Sequence, residues 1–153
     1  MRQRTLWWTV ILTVLTGLLA AAPAANLDDG FLDIPWKADL RHLDGFTLLY
    51  GNGDLRFYSR PDTLREIDGI EIPRVVYGTF RYQFFAAYLD IDTIEAFKGI
   101  QSYMESTYGF PKTQWSVAGE KTIHKWTYHQ IRMKLKHSES DNRMKLAFYY
   151  API

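Results

Sequence analysis

From Ile131 to Phe148 apolar and charged side chains alternate with a period of two, the repeat of a β-strand whose successive residues point to opposite faces. Ile131, Met133 and Leu135 fall on one side, with Arg132, Lys134 and Lys136 on the other. After the polar connection Ser138 to Asn142, Met144, Leu146 and Phe148 resume the apolar side, and Arg143 and Lys145 the charged one. Strands of this kind bury one face and wet the other, the habit of an antiparallel meander. The C-terminal part of the chain is therefore expected in an antiparallel sheet with one open face.

The rest of the chain supplies partners for that sheet. A helix is expected from Thr93 to Tyr108, with Phe97, Ile100, Met104 and Tyr108 on one stripe. Asp92 is the expected N-cap, with Glu95 three residues on, and Gly109 and Pro111 end the helix. Earlier, Ala38 to Leu43 reads as a short helix closed by Gly45. Phe46 to Tyr50 and Leu55 to Ser59 flank an Asn-Gly turn and read as a hairpin. Val75 to Phe80 and Phe84 to Ile91 read as another, and Gln114 to Val117 and Lys121 to Thr127 as further strands. The expected fold class is α+β: an antiparallel meander sheet with one long and one short helix packed on one face. Each half would be a helix followed by about four strands, and Gly45-Phe46 echoes Gly109-Phe110.

Arg2 and Arg4, an apolar run from Leu6 to Ala22 and then Ala22-Pro23-Ala24 follow the order of an export signal. The expected organisation is a signal peptide over 1–24 cleaved after Ala24, a loose N-terminal arm over 25–35 and a single domain over 36–153. The product is expected to be periplasmic or secreted, without a membrane span. The chain has no cysteine, so its fold rests on its core, and thiol chemistry and cysteine-ligated metals are excluded. The 18 basic and 17 acidic residues become 16 and 17 once Arg2 and Arg4 are removed. A net charge of −1 argues against a nucleic-acid binder, which usually carries a strong basic excess.

Phe31-x-x-Ile34-Pro35-Trp36, Tyr77-Gly78-x-Phe80 and Tyr108-Gly109-x-Pro111, followed by Trp126 and the Ile131 and Leu146 strands, give the chain a resemblance. It resembles a family of exported bacterial envelope proteins without an assigned activity. The layout is similar to BamE-like and β-lactamase-inhibitor-like domains, and the resemblance implies an α+β fold that holds another protein. Lys37 stands where the pattern has Gly, and the turn at Arg81-Tyr82 also lacks one.

Reactive chemistry finds little support. Leu89-Asp90-Ile91-Asp92-Thr93 resembles the aspartate motif of phosphohydrolases, yet Ile94 breaks it and the antiparallel remainder cannot supply the parallel sheet it needs. His124, His129 and His137 read as surface or rim side chains, because one strand would face His124 and His129 oppositely. No catalytic residue, metal ligand or cofactor is expected, although a carboxylate pair meeting in space would make a hydrolase. Phe80, Phe84, Phe85, Tyr88, Phe97, Trp126 and Phe148 are the expected aromatic core, with Trp36, Trp115 and Tyr149 less clearly internal. The expected function is a non-enzymatic binding or protein-interaction module. The alternative is a binder of an anionic envelope ligand, lipid headgroup or polysaccharide, through Arg132, Lys134, Lys136, Arg143 and Lys145. Partner identity and oligomeric state are not encoded in these patterns.

Overall fold

The computed structural model describes residues 26–61, 66–116 and 120–152; the expected signal peptide lies outside them. No helix among the described residues is long and apolar enough to cross a membrane. Two two-residue strands, β1 (Gly30–Phe31) and β2 (Ile34–Pro35), precede a single 3-10 turn at Leu40–His42. Then come β3 (Thr47–Asn52), β4 (Leu55–Ser59), β5 (Glu66–Ile67), β6 (Ile70–Glu71), β7 (Val75–Phe80) and β8 (Gln83–Ile91). Helix α1 (Ile94–Tyr108) leads to β9 (Lys112–Trp115), β10 (Lys121–Tyr128), β11 (Ile131–Ser138) and β12 (Arg143–Tyr150).

Eight of these strands form one antiparallel sheet in the order β3-β4-β7-β8-β12-β11-β10-β9. Two sequential four-strand meanders meet where β8 pairs with β12, Leu89 opposite Leu146. The register carries one apolar layer across the join: Val75 and Tyr77, then Ala87, Leu89 and Ile91, then Met144, Leu146 and Phe148, then Ile131, Met133 and Leu135. All of them are buried.

Two different covers close that layer. Over the C-terminal meander lies α1, which buries Phe97, Ile100 and Met104. The helix starts one residue later than expected: Thr93, not Asp92, is the N-cap, its hydroxyl accepting the Ala96 N–H at 3.1 Å. Extended backbone at Thr93 (φ −126°, ψ 154°) aims its oxygen at the open end of the first turn. At the other end Gly109 takes φ 81° and donates its N–H to the Glu105 carbonyl at 2.9 Å. The Trp126 indole N–H donates to the Gly109 carbonyl at 2.7 Å, pinning the helix end to β10.

Over the N-terminal meander no second α-helix forms among the described residues. Asp39 caps the 3-10 turn by accepting the Arg41 N–H, and only Leu40 of that turn is buried; one apolar contact cannot sustain a longer helix. The cover comes instead from the stretch expected to be a loose arm, 25–35, together with Trp36 just beyond it. Phe31, Ile34 and Trp36 are buried, Phe31 against Tyr77 and Phe148 at 6.4 and 5.2 Å between ring centres. Trp36 lies near-parallel to both Phe84 and Tyr150, at 4.9 and 5.8 Å between ring centres, and donates its indole N–H to the Leu27 carbonyl. Apolar burial of this size outweighs the cost of ordering the segment.

The two places where glycine was missing from the pattern do adopt left-handed backbone. Lys37 has φ 70°, Arg81 48° and Tyr82 68°. Neighbouring contacts hold them there: the Lys37 N–H donates to the Phe84 carbonyl at 2.8 Å, and the Arg81 N–H to the Asp54 carbonyl at 2.9 Å. The Tyr82 ring carries the guanidinium groups of Arg41 and Arg56 at 3.6 and 4.3 Å.

A candidate binding face of aromatic and cationic side chains

The helix and the β1–β2 segment both sit on the apolar layer, so among the described residues nothing covers the opposite face of the sheet. That face collects the outward residues of each strand. Lys125 of β10 stands directly across from Lys134 of β11, and Lys136 of β11 directly across from Lys145 of β12. Arg132 is opposite Thr127 and Tyr149, and Arg143 opposite Ser138. The alternation thus places all five expected cations, Arg132, Lys134, Lys136, Arg143 and Lys145, on one face. Directly opposed like charges destabilise a sheet, so the ladder holds these pairs at a cost. Burial first, then the charges of Lys136, Lys125 and Arg132, hold the Lys134 ammonium below its ordinary range.

Partial neutralisation is local. Asp90 receives Arg74 at 2.6 Å and Lys145 at 3.5 Å, and Asp141 receives Arg143 at 3.1 Å. Lys125 Nζ donates to the Gln114 side-chain oxygen. Lys134 lies over the ring of Tyr149 at 4.9 Å.

Beside the cations lies an aromatic bed that sequence reading did not connect with them. Because β8 pairs with β12, Tyr88 comes next to Tyr149, ring centres 5.6 Å apart and perpendicular. Phe57 of β4 follows at 6.0 Å, and Tyr50 of β3 stacks on it at 4.6 Å. Gly78 of β7 makes room for this bed, since a Cβ there would meet the Tyr88 ring at 3.2 Å and Phe85 at 3.5 Å. Burial, then Tyr149 beside it, keeps the Tyr88 phenol well above its ordinary range, so it stays protonated. A groove of about 320 Å³ lies where the two sets meet, lined by Tyr50, Phe57, Tyr88 and Tyr149 and by Lys136, Lys145 and Arg74, with the carboxylate of Asp90 among these cations. Two adjoining depressions share Lys145 with it.

Other expected positions fall elsewhere. Tyr88 and Phe85, assigned to the core, are half-buried, and Phe80 likewise; Phe84, Phe97, Trp126 and Phe148 are core. Of the three aromatics less clearly internal from sequence, Trp36 is buried, Tyr149 half-buried and Trp115 70 % exposed on the edge strand β9. His124 is not a surface residue: it is 8 % exposed, beside Phe97 and Trp126, with Nδ1 2.9 Å from the Thr113 hydroxyl. Burial pulls its pKa down, with Glu105 opposing. His137 also lies against Phe97, while His129 binds Asp28 at 2.7 Å and so ties the N-terminal segment to the β10–β11 turn. No group of three or more His, Asp or Glu residues able to hold a metal occurs among the described residues. Asp90 and Asp92 line one depression, but with Arg74, Arg143 and Lys145 around them. That arrangement is an ion-pair network rather than an acid–base pair.

Against family models, curated proteins and solved structures the chain finds no match.

Proposed function

We propose that this chain is a non-catalytic binding module of the exported compartment, and that its open sheet face receives an anionic ligand. The observation that carries the reading is the pair of directly opposed lysine positions, Lys125 with Lys134 and Lys136 with Lys145, the second pair lining a groove. A sheet gains nothing from opposed ammonium groups, so a bound anion gives them a purpose. The leader-like sequence Arg2 to Ala24 supports export.

The test is retention of the chain from Ala25 onward on immobilised heparin under a salt gradient. Its charge of about −1 gives no general affinity for a polyanion, so retention reports the local face. Lys134→Glu with Lys145→Glu is expected to abolish retention, while Lys98→Glu, on the exposed side of α1, leaves it unchanged. Equal elution of all three proteins would refute the reading.

A specific observation favours a protein partner as the second reading. Edge strand β3 carries no charge and exposes Leu48, Leu49 and Tyr50. An uncharged apolar edge is a template for strand addition, and the resemblance to partner-holding envelope domains points the same way. A photocrosslinker at Leu48 that captures the same envelope protein repeatedly, and loses it in Leu49→Pro, supports this; capture unaffected by the proline refutes it.

A further inference from the structure

We infer that the ligand of the open face is an acidic polysaccharide, one sugar ring lodged in the groove with its carboxylate or sulfate turned toward Lys136 and Lys145. This rests on the reading of that face as the ligand-bearing surface. Three observations narrow the ligand class. The groove, about 320 Å³, lies at the low end of the roughly 300–1,000 Å³ that small-ligand pockets occupy, so it takes a ring or two rather than a folded surface. Its lining combines two chemistries, Tyr50 stacked on Phe57 and a charged part in which Lys136, Lys145 and Arg74 outnumber the one carboxylate, Asp90. A uronic or sulfated sugar has the same division: a C–H-rich ring face and an anionic substituent. The aromatic bed is also a corner, Tyr88 perpendicular to Tyr149 and Phe57 tilted 51° to Tyr88. A puckered ring fits a corner, whereas a nucleobase asks for an open flat platform.

The lysines repeat along the strands as well. Lys134 and Lys136 are two residues apart on one side of β11, and one adjoining depression continues the row past Lys136 and Lys145 to Arg143 and Lys121, with Asp141 the one carboxylate in it. A chain with an anion on each sugar can meet these charges in succession, which a single headgroup cannot. A bilayer surface is flat, and would leave the recessed Tyr88 and Tyr149 untouched.

The experiment is calorimetric titration of the chain from Ala25 onward with short oligogalacturonates and with neutral oligogalactosides of the same length. Binding to the uronate alone is expected, weakening steeply as salt rises. Lys136→Ala with Lys145→Ala is expected to lose about tenfold or more and to flatten the salt dependence. Tyr50→Ala, at an exposed edge position that leaves the core intact, is expected to lose about tenfold with the salt dependence unchanged. Equal affinity for the neutral oligomer, or a Tyr50→Ala protein that binds as the parent does, overturns the inference. Tighter binding to oligo-dT or to phosphatidylglycerol vesicles overturns it too, in favour of those classes. Heparin retention that Tyr50→Ala leaves unchanged, without uronate binding, defeats the lodged sugar ring and leaves the anionic reading standing; loss of both defeats the anionic reading itself.

Discussion

If the opposed lysines are held for a ligand, removing one member of each pair stabilises the empty protein. The informative variant is Lys125→Gln with Lys136→Gln. It removes one charge from each pair and spares both the Lys134–Tyr149 contact and the Lys145–Asp90 pair, giving up only the exposed Lys125–Gln114 hydrogen bond. Directly opposed residues have Cβ atoms about 5 Å apart, and the ammonium groups splay further, because Lys125 reaches Gln114, Lys134 the Tyr149 ring and Lys145 Asp90, each on the strand away from its opposed lysine. At about 10 Å two unit charges in water repel by about 0.4 kcal/mol. With a screening length of about 30 Å in 10 mM salt, the two pairs together cost about 0.6 kcal/mol. In 1 M salt, where the length is about 3 Å, the cost is close to zero. For a domain of this size 1 kcal/mol moves the midpoint by about 3–5 °C. Thermal melts followed by circular dichroism should therefore put the variant about 2–3 °C above the parent in 10 mM NaCl, and level with it in 1 M. The same variant should elute earlier from heparin. A variant that melts no higher at low salt, or whose gain survives 1 M NaCl, refutes the argument that this ladder stores repulsion.

Trp36→Ala should cost about 3–5 kcal/mol in urea unfolding, because it empties the space beside Phe84 and Tyr150 and strands the Leu27 carbonyl; a cost below 1 kcal/mol would mean the N-terminal cover is dispensable. Thr93→Ala should cost about 1 kcal/mol and Asp92→Ala close to nothing, and the reverse order would return the cap to Asp92. Folded His124 has its pKa below the usual 6.5, so below that pH the unfolded chain binds the extra proton first and stability falls with acidification. Melting midpoints from pH 7.5 to 5 should drop less in His124→Gln than in the parent, and parallel profiles would exclude the residue. At lower pH the Asp39 carboxyl, held at about 2 chiefly by its hydrogen bond from Arg41, contributes stability above pH 3.8 that is lost as pH falls toward 2; Arg41→Ala should remove that part of the profile.

What was legible from sequence follows the range of the forces involved. Alternation within β11 and β12 is a local property, and it placed all five cations on one face because side-chain direction in a strand is fixed by geometry. The α1 stripe and its glycine stop were legible for the same reason. The aromatic half of the groove was not. Tyr88 and Tyr149 meet only because β8 pairs with β12 across a long stretch of chain, and local period does not encode which strands become neighbours. Tyr88 therefore read as core, having apolar residues on either side in sequence. The short helix and the N-terminal segment go together: Leu40 alone is too little to fold a helix, and Phe31 and Ile34 of the expected arm, with Trp36 just beyond it, take over its role. His124 hid in a strand whose polar neighbours disguised its inward direction.

The β8–β12 seam also has a kinetic meaning. Each meander can assemble by short hairpin steps, but neither meander alone can complete the sheet, because β8 waits for a strand that is synthesised more than fifty residues later. Until β12 arrives, the buried centre of the finished molecule is a bare backbone ribbon available to any other extended chain. Loop closure of that span is the slow event expected of such non-local pairing, so the interval between emergence of the two strands is when a chaperone has most to offer this protein.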